Sequence, residues 1–229
     1  MIKLNSFHLK LIALVAMVID HIAYLLIPTS EPAYYIMRIV GRIAAPLFWF
    51  CFVEGYKHTS QKRKYAIRLG VAAMVMAVGN IIIDSFVNSS TNVSWLFPNM
   101  FATMFLMFVA LEYLEMARVE REHTWKRVGC VLIAAFICVW AGQYAEYGWI
   151  AVCSILCFRF VNKGKTLVFI LLSIVLCIAK QSFLQIFMVL AVLPLNMYVD
   201  EKPRKNMKWL FYCFYPMHFW LLMVLAKFV

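Results

Sequence analysis

Leu9-Lys10-Leu-Ile-Ala-Leu-Val-Ala-Met-Val-Ile19-Asp20-His21-Ile22-Ala-Tyr-Leu-Leu-Ile27 decides the fold. The run has the roughly 20 apolar residues that a helix needs to cross a bilayer. Asp20 and His21 interrupt its middle. A carboxylate and an imidazole in hydrocarbon are costly unless they face a partner or a water-filled cavity, and such residues mark functional sites. The stretch therefore predicts a membrane-spanning helix with chemistry or transport at membrane depth.

The rest of the chain extends this reading. Of 229 residues, 65% are hydrophobic and 14% charged, and the mean hydropathy is +0.81. Soluble domains are about 45–50% apolar. An integral, polytopic membrane protein with one domain over 1–229 and no soluble domain is expected. No small-x-small cleavage site follows the first segment, so it is expected to be retained. Cysteines 51, 130, 138, 153, 157, 177 and 213 lie mostly in apolar runs and contain no Cys-x-x-Cys. They read as reduced, small hydrophobes, with neither disulfide nor metal implied.

Nine spans are predicted: 8–27, 33–54, 66–86, 99–117, 126–142, 147–161, 166–180, 182–199 and 207–228. The fold class is an all-α transmembrane bundle. Cytoplasmic loops collect Lys and Arg. With the N-terminus inside and the C-terminus outside, 18 of the 22 basic residues fall on the inner face. The formal charge of +11 is thus topological, with attraction to anionic lipid as a secondary use, and no nucleic-acid partner is expected. The outer loops Pro28-Thr-Ser-Glu-Pro32 and Asn88-Ser-Ser-Thr-Asn-Val-Ser94 lack basic residues, and the second carries two Asn-x-Ser patterns.

Counting from the basic flanks at 1.5 Å per residue puts Asp20 and His21 roughly 15–17 Å deep, His218 roughly 15 Å, and Asn80 and Arg42 roughly 18 Å. Four helices then share a polar chamber near the midplane. Arg38 and Arg42 share a helix face. Gly41 and Ala45 allow close approach of another helix. Pro46 and Pro216 cannot donate to the carbonyls of Arg42 and Tyr212, so a kink is expected beside the chamber. Each residue also has a structural alternative: His21, His218 and Asn80 as packing hydrogen-bonders, Asp20 as the counter-ion of Arg42, Arg38 as a snorkelling cation, and the 57–64 cluster as a topology signal.

No His-Glu-x-x-His and no Gly-x-Ser-x-Gly is present, which leaves intramembrane proteolysis without a motif. A metal held by Asp20, His21 and His218 is demanded by no spacing, so none is expected. Acyl transfer fits better. It needs a base near neutrality, which His supplies, and donors for a developing oxyanion, which Arg42 or Asn80 could supply. The basic loop at 57–68 could hold the phosphates of acetyl-CoA.

The chain resembles the TraX-like membrane proteins, a family named for an acetylase of conjugative pilin. The resemblance rests on Ile19-Asp20-His21-Ile22, Arg38-Ile-Val-Gly41-Arg42-Ile-Ala-Ala-Pro46-Leu-Phe48 and Glu54-Gly55-Tyr56-Lys57-His58-Thr59, then Tyr65 and Arg68. It continues with Asn99-Met-Phe101, Glu146-Tyr147-Gly148 and Phe211-Tyr212-Cys-Phe-Tyr215-Pro216-Met-His218. Ala45 stands where the family usually has Phe, and Glu146 where it has Asp. The resemblance implies a multi-pass protein of the bacterial inner membrane that transfers an acetyl group from cytoplasmic acetyl-CoA to a peptide, pilin or glycan acceptor, with an amine favoured over a hydroxyl. On this reading His21 is the general base, with His218 the alternative. Asp20 orients His21 or pairs with Arg42. Arg42 with Asn80 or Asn99 steadies the thioester oxygen, and Tyr215 and Glu146 complete the chamber. Glu54, Lys57, His58 and Arg68, with Arg38, serve acetyl-CoA. The rivals are a proton-coupled transporter or exporter, an O-acetyltransferase of a surface glycan, and a non-catalytic assembly protein.

Overall fold

The structure, a computed structural model, describes residues 3–87, 99–161, 163–179, 183–201 and 208–228. The loop carrying the Asn-x-Ser patterns, and Lys180, Lys202, Arg204 and Lys205, lie outside the described residues.

The first helix, α1 (Ser6–Leu26), begins at a reciprocal cap. The Asn5 side chain accepts from the backbone N–H groups of Phe7 and His8, and His8 Nδ1 accepts from the Asn5 N–H at 3.3 Å. Both orphan ends of the first turn are thereby satisfied. The second predicted span is broken into α2 (Pro32–Gly41) and α3 (Ala44–His58). The break at Arg42-Ile43 falls three and four residues before Pro46, where the proline ring and its missing N–H forbid a regular α turn. Further along lie α4 (Lys62–Val87), α5 (Met100–Val119), α6 (Thr124–Tyr144), α7 (Trp149–Phe160) and α8 (Lys165–Ala179). A 3-10 segment (Phe183–Ala191) runs into the short α9 (Val192–Asn196), and α10 (Lys208–Leu225) closes the bundle. Pro216 sits inside α10 without ending it.

Each of the nine predicted spans is thus a helical segment, with α2–α3 and the 3-10–α9 pair each serving as one. Among the described residues there are no strands, and five segments are long and apolar enough to cross a membrane: α1, Pro32–His58, Lys62–Phe86, α5 and α6. The fold is an all-α, multi-pass membrane bundle. Of the later segments, α7 has 12 residues, which is roughly 18 Å of helix and less than the roughly 30 Å hydrocarbon core. In the eighth span the 3-10 winding, with about 2 Å rise per residue, stretches the chain further than an α-helix would.

Contacts gather the basic helix ends at one end of the bundle. Arg159 pairs with Glu115, Lys57 donates to Phe158 O at 3.3 Å, and Lys62 lies 3.9 Å from Glu112. Leu4 exchanges backbone bonds of 2.8 Å with Met197 and Val199, tying the start of the chain to the end of α9 at the same end. Between α5 and α6, Glu120 accepts from the N–H groups of His123 and Glu122, and these bonds hold its carboxyl below the usual carboxylate range. The core is carried by α1, α3, α5 and α7, where Leu9, Trp49, Met107 and Ile155 are fully buried. Outward apolar side chains on α6 and α8, such as Phe136 and Ile178, form the lipid-facing surface.

Candidate functional site

Two helices meet without side-chain spacers where α2 crosses α1. A Cβ at Gly41 would overlap the Asp20 carboxylate, so only glycine admits this contact. Asp20, thus drawn against α2, receives three hydrogen bonds. Arg42 Nη2 reaches both carboxylate oxygens at 2.7 and 2.8 Å, and Arg38 Nη1 reaches Oδ2 at 2.7 Å. Arg42 Nε also donates to Arg38 O at 3.3 Å, across the break between α2 and α3. The helix break therefore both frees backbone and places the guanidinium. A buried carboxylate held by two guanidinium groups satisfies a charge that would otherwise be prohibitive at this depth.

His21, one residue on, points elsewhere. Its Nδ1 lies 2.8 Å from His218 Nε2 on α10, and the two rings stack at 5.1 Å. His218 Nδ1 lies 2.8 Å from the Phe214 carbonyl. A carbonyl only accepts, so His218 carries its proton on Nδ1. In the neutral pair its Nε2 is then the acceptor, and His21 must donate from Nδ1. The chain of bonds leaves a lone pair on His21 Nε2, and no hydrogen bond engages that atom among the described residues. Asp20 is not bonded to His21; the two neighbours serve different partners.

Asp20, His21, Arg38 and Arg42 line a cavity of about 140 Å³ with Tyr24, Asn80, Glu146, Tyr147 and Phe219. Asn80 Oδ1 accepts from Trp220 Nε1 at 2.9 Å, while its buried Nδ2 has no partner among the described residues. Trp220 reaches Asn80 because α10 lies hard against Gly79, where any Cβ would overlap the indole. Arg38 Nε and Glu146 Oε2 are likewise buried and without a hydrogen-bond partner among the described residues. Three unsatisfied polar atoms around one small cavity are unusual, since buried polar groups are normally paired. Asn99 lines the cavity too, but both ends of its amide are used. It caps α5 by accepting from Ala102 N–H at 2.8 Å, and its Nδ2 points to Ala73 O at 3.4 Å.

Glu146 arrives on a strained turn. Tyr147 (φ 61°) and Gly148 (φ 52°) are both in the left-handed region, which is rare for a bulky residue and concentrates at functional sites. The turn is pinned by Gly148 N–H to Ala145 O at 3.0 Å and by Tyr147 edge-on to Trp49 at 5.4 Å. The shortness of α7 lets this turn enter the bundle. Asp20 is six residues from the end of α1 and His218 seven from the end of α10, roughly 9–10 Å. The chamber therefore sits nearer the ends of α1 and α10 that lie opposite the basic ones.

A second cavity, about 370 Å³, occupies the basic end. Its apolar wall includes Met17, Phe48, Leu69 and Met104, and its polar rim includes Lys10, His58, Thr59 and Arg68. Arg68 Nε is buried there with no hydrogen-bond partner among the described residues. Glu54 and Lys57 stand beside the rim, paired at 2.9 Å. Tyr215 lines both cavities and packs edge-on against Phe101 at 5.0 Å, so it forms the partition between them.

The sequence-assigned residues thus divide into two groups. Asp20, His21, Arg42, Asn80, Asn99, Glu146 and Tyr215 line the small chamber, with His218 bonded to it. Arg38, grouped by sequence with the donor-binding residues, belongs to this chamber instead. Glu54, Lys57, His58 and Arg68 gather at the other end. Sequence reasoning missed Tyr147, Trp220 and Lys10 as site residues; for Tyr147 the signal was its place before a glycine in a turn between apolar runs.

The fold and site define a polytopic membrane protein with a buried, charge-paired polar chamber and a separate apolar cavity. The chain belongs to the TraX family: the family described as TraX protein matches residues 6–226. It is 28% identical over 240 residues to "Probable fimbrial assembly protein FimC, serogroup H1" of Dichelobacter nodosus, covering 96% of this chain and 95% of that protein. It is also 36% identical over 86 residues to "Uncharacterized protein RP591" of Rickettsia prowazekii (strain Madrid E), covering 38% and 32%. No solved structure matches the chain.

Proposed function

We propose that this protein is an acetyl-CoA-dependent acetyltransferase of the bacterial inner membrane, acting on the amine of a peptide or protein N-terminus. The observation that carries the reading is the free lone pair of His21 Nε2, left at the chamber by the bonds through His218 to the Phe214 carbonyl. An imidazole held in one tautomer by a second group is the arrangement a general base requires. The name of the Dichelobacter relative, a fimbrial assembly protein, supports a pilin-like acceptor.

The division of labour follows the two cavities. Acetyl-CoA enters from the cytoplasmic, basic end, with its phosphates at Lys10, His58 and Arg68 and its pantetheine arm in the apolar cavity. The thioester reaches Tyr215. From the opposite end the acceptor amine enters the small chamber. Its nitrogen attacks the thioester carbonyl carbon as His21 Nε2 takes a proton from it. Asn80 Nδ2 donates to the oxyanion. The C–S bond then breaks, and the proton on His21 passes to the departing sulfur, giving the amide and CoA. Asp20 remains locked to Arg38 and Arg42 and fixes the chamber's shape.

Two cavities on either side of one aromatic side chain also suit a proton-coupled transporter. Purified protein separates the two. The acetyltransferase is stabilised against heat by acetyl-CoA and not by acetate, and it releases CoA in the presence of an amine. A transporter does neither.

A further inference from the structure

Resting on the acetyl-transfer reading, we infer that Glu146 is the acceptor-selecting residue of this protein: its carboxylate holds the ammonium of a peptide's first residue, while Arg38 Nε receives that residue's carbonyl oxygen. The inference begins from an imbalance. The chamber contains two carboxylates and two guanidinium groups, yet Asp20 takes hydrogen bonds from both Arg38 and Arg42. Glu146 is left with a buried oxygen that has no hydrogen-bond partner among the described residues. A carboxylate in such a place costs several kcal/mol unless a cation or a donor meets it. Among the described residues no lysine lines the chamber, and the nearby Arg42 spends Nη2 on Asp20, which leaves Glu146 Oε2 open to a ligand.

The remaining unpartnered atoms describe the rest of that partner. Arg38 Nε is a buried donor without an acceptor. The guanidinium lies over the rings of Tyr24 and Tyr34, at 5.2 and 5.9 Å, on the outer side of the chamber. A ligand with a cationic amine and a carbonyl oxygen a few bonds away satisfies both Glu146 and Arg38. The N-terminal residue of a peptide has that pattern, and a sugar hydroxyl does not supply the cation. A cavity of about 140 Å³ accommodates one small residue, with the following chain leaving past Arg38 and Tyr24. The strained, pinned turn at Tyr147-Gly148 keeps the carboxylate from swinging out to solvent. The ammonium held by Glu146 first gives one proton to that carboxylate and so becomes the neutral amine; a remaining N–H then faces His21 Nε2, which takes its proton as the nitrogen attacks.

The test uses the full-length protein in lipid nanodiscs and three small probes: glycinamide (amine and carbonyl), glycolamide (hydroxyl in place of the amine) and N-acetylglycinamide (the blocked product). Glycinamide should raise the melting temperature of the wild type in a saturable way, and glycolamide should not. In E146Q the apparent Kd for glycinamide should rise by about tenfold or more, the usual cost of losing a charged hydrogen bond, whereas E146D should restore part of it. Equal protection by glycolamide, an unchanged Kd in E146Q, or no protection of the wild type by glycinamide overturns the assignment. Acetyl-CoA, tested on the same samples, enters by the other cavity. Stabilisation by acetyl-CoA without any response to glycinamide sinks only the Glu146 assignment, and no response to acetyl-CoA sinks the acetyl-transfer reading beneath it.

Discussion

His21 Nδ1 and His218 Nε2 are 2.8 Å apart although 197 residues separate them in the chain. Their bond joins the first helix to the last and determines which imidazole nitrogen faces the chamber. On the proposed acetyl-transfer reading, His218, whose Nδ1 is committed to the Phe214 carbonyl, orients and His21 reacts.

The two histidines should therefore differ on substitution. H21Q should lower the rate of acetyl transfer by about 10²–10⁴-fold, the usual contribution of general-base catalysis. H218Q keeps an oxygen that can accept from His21 Nδ1 and should lose about tenfold, whereas H218F, which cannot accept, should lose more. Initial rates of CoA release by purified variants decide this. Equal losses in H218Q and H218F would show that the hydrogen bond is not what His218 contributes.

Asp20 should matter for folding more than for the reacting nitrogen. Removing it leaves the buried Arg42 and half-buried Arg38 without the carboxylate that accepts their hydrogen bonds, a change that costs about 3–5 kcal/mol. D20A should reduce the monodisperse fraction on gel filtration and lower the melting temperature of what remains. A fully folded D20A that has lost activity would instead place Asp20 in the chemistry.

Glycine positions offer a graded test of packing. G41A drives a methyl group into the Asp20 carboxylate, and G79A drives one into the Trp220 indole; overpacking of this kind costs about 1–3 kcal/mol. At Gly129 on α6 nothing lies within 4 Å of an added Cβ, so G129A should be neutral or stabilising by about 0.5–1 kcal/mol. Thermal unfolding of the three variants in one detergent should reproduce that order.

The larger cavity should be separable from the chamber. M104W fills apolar space on its wall, and R68Q removes a cation at its rim. Both should weaken acetyl-CoA binding, read as a loss of thermal stabilisation. Neither should alter the His21–His218 pair, whose ring protons report by NMR in a histidine-labelled sample. Unchanged acetyl-CoA binding in both variants would move the donor elsewhere.

Much of this was legible in the sequence. Hydropathy and the one-sided basic residues gave nine segments, and Pro46 located the break that carries Arg42. Helix rise grouped Asp20, His21, Arg42, Asn80 and His218, but depth says nothing about rotation around a helix axis. It was rotation that turned Asp20 toward α2 and His21 toward α10, and that moved Arg38 into the chamber. Asn99 looked like a donor for an oxyanion; as the N-cap of α5 its amide is already spent. The division into two cavities at Tyr215 depends on which side chains fail to fill space, and no residue pattern records that.

The most direct measurement is N-terminal acetylation in cells. Exported and membrane peptides are compared by mass spectrometry from the wild type, a strain lacking the protein, and a strain expressing H21A at matched level. The account predicts at least one N-terminus that is acetylated in the wild type and free in the other two. An acetylation pattern unchanged by loss of the protein, or fully retained in H21A, would contradict it.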